Sequence, residues 1–334
     1  MALHNAYRKE TTGRLVVSII ATALAVWVSP GFGDDAIGSS QQELRGARII
    51  NGFRGVVDLS FSTQVIFPSS GGCTGIIVGQ GIVLTAGHCV LRNDTMPRAG
   101  SGNAVIHYYD PATGRTQVHN GPVDYAVHQE YRRDDRPSER RKHDLAVIKM
   151  VGANVFFAVN DMLMLYNDSP DRLVDRWLDV FGAGVFDYAG NQDNNLRTER
   201  FEVVEANESV IRIDNRTNTT TCIGDSGGPI MELVPQNLVL LPAVAGLLSQ
   251  SEVDRDNEGP NCANNDNGSD DSFFTSVSFS NVSALMTEMD VNCTAIQVDA
   301  WLSWPTTQLR RCYPVQAFEP VPVPGGIRNE PMRN

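Results

Sequence analysis

Short runs of β-forming residues recur along most of this chain, and they limit the folds that it can adopt. Between residues 49 and 289 they alternate with turns rich in Gly, Asn and Pro, whereas helical periodicity is scarce and is best at 282–289. Many short strands separated by such turns indicate an all-β barrel or sandwich. The runs are 74–78, 82–85, 104–108, 145–150, 178–181, 200–204, 210–213, 238–248 and 273–277.

One segment, residues 222–229, has the sequence Cys-Ile-Gly-Asp-Ser-Gly-Gly-Pro. A serine hydroxyl is a poor nucleophile until a base removes its proton and hydrogen-bond donors hold the oxyanion that forms after attack. The segment offers the hydroxyl of Ser226, the backbone N–H groups of Gly224 and Ser226, and glycines that let a substrate approach closely. It therefore predicts a nucleophilic site, provided that a base and a residue to orient it lie elsewhere.

Two upstream motifs supply these groups. Residues 84–89 read Leu-Thr-Ala-Gly-His-Cys, and residues 143–148 read His-Asp-Leu-Ala-Val-Ile. Together the three motifs resemble those of the trypsin/chymotrypsin family of serine proteases, in that family's order His88, Asp144, Ser226. The resemblance covers about residues 49–289. It implies two packed six-stranded Greek-key barrels with a C-terminal helix, and a cleft between them lined by His88 and Asp144 on one side and Ser226 on the other.

The resemblance also implies a mechanism. Ser226 would attack a peptide carbonyl, His88 would act as general base, and Asp144 would orient the imidazole. The N–H groups of Gly224 and Ser226 would form the oxyanion hole. Singly, each residue has a plainer interpretation: a serine in a Gly-rich turn, a histidine beside a disulfide, an aspartate capping a strand. Two other functions remain open, a catalytically silent homologue that acts as a binding module, and an esterase.

A further segment, Arg-Ile-Ile-Asn-Gly at 48–52, resembles the activation junction of the family's zymogens. Cleavage after Arg48 would create an α-ammonium on Ile49, and a charge of this kind enters a protein interior only when it is paired. Asp225 is the partner that the resemblance implies. We therefore expect an activating protease as a partner and activity only after cutting.

Residues 1–33 are predicted to be a secretory signal peptide, because Arg8, Lys9 and Arg14 precede the apolar stretch 15–28 and small residues follow it. That stretch is shorter than the roughly 20 residues of a transmembrane helix. We expect a secreted, extracellular protein with no membrane association after processing. The predicted organisation continues with an activation propeptide at 34–48, a protease domain at 49–290, and a C-terminal extension at 291–334 with one disulfide and a Pro-rich tail.

The six cysteines fit an oxidising compartment. The resemblance pairs Cys73 with Cys89 and Cys222 with Cys262, which leaves Cys293 and Cys312 to each other. No His/Cys spacing is typical of a zinc site, and we expect neither a metal nor a cofactor.

The net charge of the chain argues against one class of partner. The net charge is −12, which disfavours nucleic-acid binding, because contact with phosphates needs a basic face. Protein or peptide substrates and inhibitor proteins are the expected partners. Eight Asn-x-Ser/Thr triplets favour a glycoprotein, and they begin at Asn93, Asn167, Asn207, Asn215, Asn218, Asn267, Asn281 and Asn292.

Three residues are predicted to shape the specificity pocket: Thr220, Ser251 and Ser272. Thr220 stands where trypsins carry an aspartate, so a preference for Lys or Arg loses its electrostatic basis. We expect a small or medium uncharged side chain before the cleaved bond, although Asp270 or Asp271 would restore basic specificity if either entered the pocket. The Arg-rich segment 130–142 is interpreted as a solvated loop or, alternatively, as a substrate exosite.

Overall fold

The computed structural model of the chain consists mainly of β-strands. It describes residues 48–50, 53, 55–62, 72–91, 93–110, 113–152, 162–184, 195–215, 220–222, 224–236, 239–251, 271–298 and 307–314. Across these residues it has sixteen strands and three α-helices, α1 (Gly87–Val90), α2 (Pro137–Arg140) and α3 (Phe279–Glu288). In the described part of the chain, no helix has both the length and the apolar character that crossing a membrane requires.

Six antiparallel strands of the first half close into a barrel. After the short β1 (Arg48–Ile50), these strands are β2 (Val56–Ser62), β3 (Cys73–Gly79), β4 (Ile82–Thr85), β5 (Ala99–Asp110), β6 (Arg115–Val127) and β7 (Ala146–Met150). Their order around the barrel is β2-β3-β4-β7-β6-β5. Because β4 pairs with β7, the chain segments that adjoin these two strands lie next to each other at one end of the barrel.

The second half forms another antiparallel barrel with extra strands at its side. Its strands are β8 (Met164–Tyr166), β9 (Trp177–Gly182), β10 (Leu196–Ala206), β11 (Val210–Asp214), β12 (Pro229–Gln236), β13 (Val239–Ser251), β14 (Asp271–Ser276), β15 (Val291–Val298) and β16 (Thr307–Pro314). The order β12-β9-β10-β11-β14-β13 closes through a β12–β13 pairing, and β1 pairs with β10. The predicted pair of six-stranded barrels is confirmed.

The apolar side chains form three clusters, one inside each barrel and one between the barrels. In β3 and β4 both faces are buried: Ile77 and Val83 point into the first barrel. Ile76 and Leu84 belong to the cluster that they share with Phe181 of the second barrel. Burying a side chain of this size stabilises the fold by about 1.5–3 kcal/mol. Because both faces of β3 and β4 are buried, their sequences are continuous apolar runs and do not alternate between apolar and polar residues.

The predicted helix is present as α3, but it is not the last element of the fold. β15 and β16 follow it as a hairpin whose opposed residues Cys293 and Cys312 form the expected disulfide. β16 also pairs with β8, with Leu309 opposite Tyr166. Residues 291–298 and 307–314, which the sequence places in a C-terminal extension, therefore continue the sheet of the second barrel.

Candidate active site

The ends of two adjacent strands bring His88 and Asp144 together. Thr85, the last residue of β4, lies opposite Ala146, the first residue of β7. His88 lies in α1 directly after β4, and Asp144 lies just before β7. The strand pairing therefore places side by side two residues that are 56 positions apart in sequence.

Asp144 binds both the backbone and the ring of His88. Its Oδ1 accepts the backbone N–H of His88 at 2.8 Å, and its Oδ2 lies 2.7 Å from Nδ1 of the ring. Oδ2 also accepts the hydroxyl of Ser249 in β13 at 2.6 Å. These contacts fix the imidazole with Nδ1 towards Asp144 and Nε2 on the opposite side. Sequence reasoning did not identify Ser249 as a partner of Asp144.

The environment keeps Asp144 charged although it is fully buried. Burial on its own raises the pKa of Asp144, but the charge of His88 and the hydrogen bonds from His88 and Ser249 lower it by more. The pKa of this carboxyl therefore lies below its ordinary value. An ionised Asp144 can stabilise an imidazolium at His88, whose side chain is 24% exposed and reachable by a substrate.

Thr74 of β3 fixes the loop that carries Ser226. Its backbone N–H donates to the carbonyl of Ser226 at 2.8 Å, and its hydroxyl donates to the carbonyl of Gly224 at 3.0 Å. The same hydroxyl oxygen accepts the backbone N–H of Ala183 at 3.0 Å. Because Thr74 belongs to the first barrel, these bonds hold the Ser226 loop of the second barrel against the side that carries His88. Sequence reasoning used only its neighbour, Cys73.

Two positions of this loop require glycine, because their φ angles are positive and other backbone atoms lie too close for a side chain. Gly224 has φ +96° and Gly227 has φ +80°, in the left-handed region that favours glycine. A Cβ on Gly224 would lie 2.6 Å from the Cα of Gly184, and one on Gly227 would lie 2.2 Å from the carbonyl oxygen of Thr74. The assignment of the Gly224 and Ser226 N–H groups to an oxyanion hole stays a prediction.

Asp225, next to Ser226, is fully buried. Its Oδ1 accepts the backbone N–H of Gly184 at 2.9 Å, and its Oδ2 accepts that of Cys222 at 2.8 Å. Burial raises the pKa of Asp225 to about 7, against the opposing effects of these two hydrogen bonds and of the charge on Arg197. The carboxylate thus ties the start of the Ser226 loop to the chain after β9.

We expect Gly182→Ala to disrupt this arrangement, because the added Cβ would lie 2.0 Å from Oδ1 of Asp225. Displacing a buried, hydrogen-bonded carboxylate should lower the free energy of unfolding by about 2–3 kcal/mol. If the Ser226 loop moves with it, the rate of acylation should fall about 100-fold. Thermal denaturation and peptide hydrolysis measure the two effects.

The matched control is Gly121→Ala in β6, where the added Cβ would come no closer than 3.4 Å to the ring of His119. This variant should keep both stability and activity. Equal behaviour of the two variants would show that the fold readily absorbs the displacement of Asp225.

A cluster of hydroxyl groups joins two of the predicted pocket residues. The hydroxyl of Thr221 hydrogen-bonds to that of Ser251 and lies 2.6 Å from that of Ser272. Ser272 also accepts the side-chain amide of Asn215 at 2.9 Å. Thr221, rather than the predicted Thr220, is therefore the residue that connects Ser251 and Ser272. Thr220 is buried beside it, and its hydroxyl lies 3.5 Å from the Thr221 carbonyl.

Asp271 does not offer the predicted pocket an isolated negative charge. Its Oδ2 lies 2.6 Å from a guanidinium nitrogen of Arg212 in β11. Asp270, the other acid considered, lies outside the described residues. Within the described chain, the residues of the predicted pocket are therefore neutral and rich in hydroxyl groups: Thr220, Thr221, Ser251 and Ser272.

The Arg-rich segment 130–142 is attached to the site rather than wholly solvated. The guanidinium of Arg140 donates to the side-chain carbonyl of Gln250 at 3.3 Å. The guanidinium carbon of Arg141 lies 3.5 Å from the ring centroid of Phe273, as in a cation–π contact. The segment therefore borders β13 and β14, the strands that carry the predicted pocket residues Ser251 and Ser272.

Where the structure describes both cysteines of a pair, the disulfides are those that the resemblance implies. Cys73 is bonded to Cys89. Cys222 is also in a disulfide, and its predicted partner Cys262 lies outside the described residues. Atoms of Cys73, His88 and Cys89 that can bind a metal lie within 4.8 Å of one another, but the two sulfurs are bonded to each other and are not thiolates.

The predicted activation junction lies in β1. Arg48, Ile49 and Ile50 pair with β10, and Ile49 is directly opposite Arg197. The peptide bond after Arg48 is therefore part of a sheet that also includes Gly182, the neighbour of Asp225.

Two comparisons with known proteins gave matches, and a third gave none. The family model described as Trypsin matches residues 50–267. Among solved structures, that of neuropsin, a serine protease expressed in the limbic system of mouse brain, covers 75% of this chain and 99% of its own, with 18% identity and a TM-score of 0.47. No curated protein sequence matches this chain.

Proposed function

Because this chain belongs to the trypsin family of serine proteases, we propose that it is a secreted endopeptidase that cleaves peptide bonds through an acyl-enzyme on Ser226. The observation that carries the proposal is the buried Asp144, which binds His88 through both carboxylate oxygens. That arrangement supplies an oriented base of the kind that activates a serine.

In the proposed reaction, Ser226 Oγ attacks the scissile carbonyl carbon while Nε2 of His88 takes its proton. The N–H groups of Gly224 and Ser226 hold the oxyanion, and each is worth about 3 kcal/mol in comparable sites. The C–N bond then breaks as His88 gives the proton to the leaving amine. Water attacks the acyl-enzyme, loses a proton to His88, and releases the acid as the Ser226 hydroxyl is restored.

The proposed substrates are proteins or peptides with a small or medium uncharged side chain before the cleaved bond. Thr220 and Thr221 place no charge at the pocket, and Ser251 and Ser272 add side chains that narrow it. The hydrogen bonds among Thr221, Ser251 and Ser272 support this proposal, because they draw the pocket residues together.

We further propose that the chain is made as a precursor with a signal peptide at 1–33 and a propeptide at 34–48. Cleavage after Arg48 would leave an α-ammonium on Ile49, which would pair with Asp225 and order the Ser226 loop. Because the pocket lacks an acid at Thr220, the cut requires a separate, arginine-specific activating protease. Inhibitor proteins that occupy the cleft are the other proposed partners.

Labelling with a fluorophosphonate probe after cleavage at Arg48 tests the proposal. The cut protein should be labelled, Ser226→Ala should not be, and the new N-terminus should be Ile49. A cut wild-type protein that is not labelled would favour the silent homologue and contradict the proposal. Peptides that differ only in the residue before the cleaved bond (Ala, Val, Lys or Glu) measure specificity, and hydrolysis of esters without peptides would favour the esterase.

If the protein is secreted through a glycosylating pathway, the structure predicts which triplets carry glycans. Asn93, Asn207 and Asn292 are exposed and should be occupied. Asn215 is fully buried and Asn281 is 7% exposed, and both use their amide nitrogen as a donor. Mass spectrometry after enzymatic deglycosylation should show conversion to Asp at the first three positions. Glycans at Asn215 or Asn281 of the folded protein would contradict the prediction.

A further inference from the structure

Arg197, in β10, is the largest side chain that is fully buried in the described part of the protein. A guanidinium keeps its charge under nearly all conditions, and an uncompensated buried charge costs several kcal/mol. One of its nitrogens donates to the carbonyl of Asn195 at 3.4 Å.

The strand register directs Arg197 to Asp225. Arg197 lies directly opposite Gly182 of β9. Residues directly opposite each other in an antiparallel pair project from the same face of the sheet, about 5 Å apart. The Cβ direction of Gly182 leads straight to the Asp225 carboxylate, 2.0 Å from Oδ1. The side chain of Arg197 therefore lies on the face of the sheet that holds Asp225, and the absence of a side chain at Gly182 leaves room between them.

The electrostatics of the two groups agree with this placement. Burial lowers the pKa of Arg197 to about 10, and the charge of Asp225 opposes that effect. In the other direction, the charge of Arg197 lowers the pKa of Asp225 against its burial. The other groups that act on Asp225 in the described structure are the uncharged N–H groups of Gly184 and Cys222.

The same cation lies beside the activation junction. Ile49 of β1 is directly opposite Arg197 on the other side of β10. The guanidinium thus already occupies the neighbourhood in which an α-ammonium on Ile49 would have to reach Asp225. The chain is continuous from Arg48 to Ile50, so the bond after Arg48 is intact. In this uncut form, Asp225 already accepts its two backbone hydrogen bonds.

We propose that Arg197 is a positioning residue that acts as a built-in cation for Asp225 and orders the Ser226 loop before the chain is cut. The uncut protein then already acylates Ser226, and cleavage after Arg48 adds a second cation rather than the first. The inference rests on the proposed serine chemistry, and it changes the expectation that activity appears only after cutting.

The test uses the full secreted chain with Arg48→Gln, which the activating protease cannot cut. This uncut protein should react with the fluorophosphonate probe at a measurable rate. Adding Arg197→Gln should slow the labelling about tenfold or more, since removing one partner leaves the other charge buried and alone. The matched control is Arg200→Gln on the same strand, whose partner is the partly exposed Asp179 and whose loss should leave the rate unchanged.

Arg197→Lys separates a charge effect from a packing effect. It keeps a cation, so it should retain labelling at neutral pH, provided that the lysine reaches Asp225. Lysine has an ordinary pKa about two units below that of arginine. In the uncut Arg197→Lys protein, labelling should therefore fall off at a lower pH than in the uncut protein that keeps Arg197. A merely structural role for Arg197 would not move this alkaline limit.

The outcomes are distinguishable. Uncut protein that is not labelled, while the cut wild type is, would overturn the role of Arg197 and leave the proposed protease intact. Equal labelling rates of the uncut protein with and without Arg197→Gln would overturn that role as well, as would an alkaline limit that does not move in Arg197→Lys. Cut wild type that is not labelled would overturn both proposals together.

Discussion

Ser226→Ala is expected to lower kcat for peptide hydrolysis about 10⁶-fold, and His88→Ala should lower it by nearly as much. The hydroxyl is a useful nucleophile only when the imidazole removes its proton, so the two residues act as one unit. The double variant should therefore be no slower than either single variant. Initial rates with a peptide substrate, measured on the cut protein, give all three values.

The control for this experiment is the fold itself. Neither side chain belongs to the three apolar clusters, so circular dichroism and thermal denaturation should change little. If the effects of Ser226→Ala and His88→Ala multiplied in the double variant, the two residues would act independently, and the proposed mechanism would be wrong. A Ser226→Ala variant as active as the wild type would exclude the acyl-enzyme altogether.

Asp144→Asn should lower kcat about 10⁴-fold while leaving the site otherwise assembled. An amide in place of the carboxylate presents an N–H₂ group either to Nδ1 or to the backbone N–H of His88, both of which Asp144 binds in the structure. The imidazole then adopts the tautomer that cannot accept the Ser226 proton. Ser249→Ala, which removes only one donor to Oδ2, is the comparison and should lose much less activity.

The stability that the protein loses on the change Asp144→Asn should depend on pH in a defined direction. The folded-state pKa of Asp144 lies below its ordinary value, so its ionised form stabilises the fold at pH values above about 4. That contribution is lost as the pH falls through the folded-state pKa. The difference in Tm between wild type and Asp144→Asn should therefore be greatest near neutral pH and shrink in acid. A difference that is constant from pH 7 to pH 3 would contradict the assignment of the charge.

Three of the strands that sequence analysis identifies consist almost entirely of apolar residues. β3, β4 and β7 line the first barrel or the boundary between barrels, so their burial is nearly continuous. Sequence analysis does not identify β6, because the first half of this strand is largely exposed and its centre has the sequence Asn-Gly-Pro, which in isolation indicates a turn. β12 contains Pro229, Pro235 and the buried Glu232, which is paired with Arg176. In both strands, tertiary pairing overrides local preference.

The residues of the candidate site also fall into two groups, those that the sequence predicts and those that only the structure identifies. His88, Asp144 and Ser226 lie in contiguous motifs, so the sequence predicts them and the structure brings His88 and Asp144 together. Ser249 and Arg197 escape sequence reasoning because their roles depend on partners far along the chain. Ser249 lies 105 positions from Asp144, and nothing local distinguishes its hydroxyl from that of any other serine in a strand. Which strand neighbours which decides these roles, and a single sequence does not display that information.

The disulfide-linked hairpin of β15 and β16 has a mechanical consequence for the proposed catalysis. It pairs with β8 of the second sheet, and Cys312 lies close to the first barrel, since a Cβ on Gly79 of β3 would be 3.1 Å from the Cys312 carbonyl oxygen. His88 lies on the first barrel and the Ser226 loop belongs to the second, so the distance between these two residues depends on how firmly the barrels are joined. The hairpin contacts both barrels, so the geometry of the proposed proton transfer from Ser226 to His88 would depend in part on a strand pair that supplies none of the proposed catalytic residues.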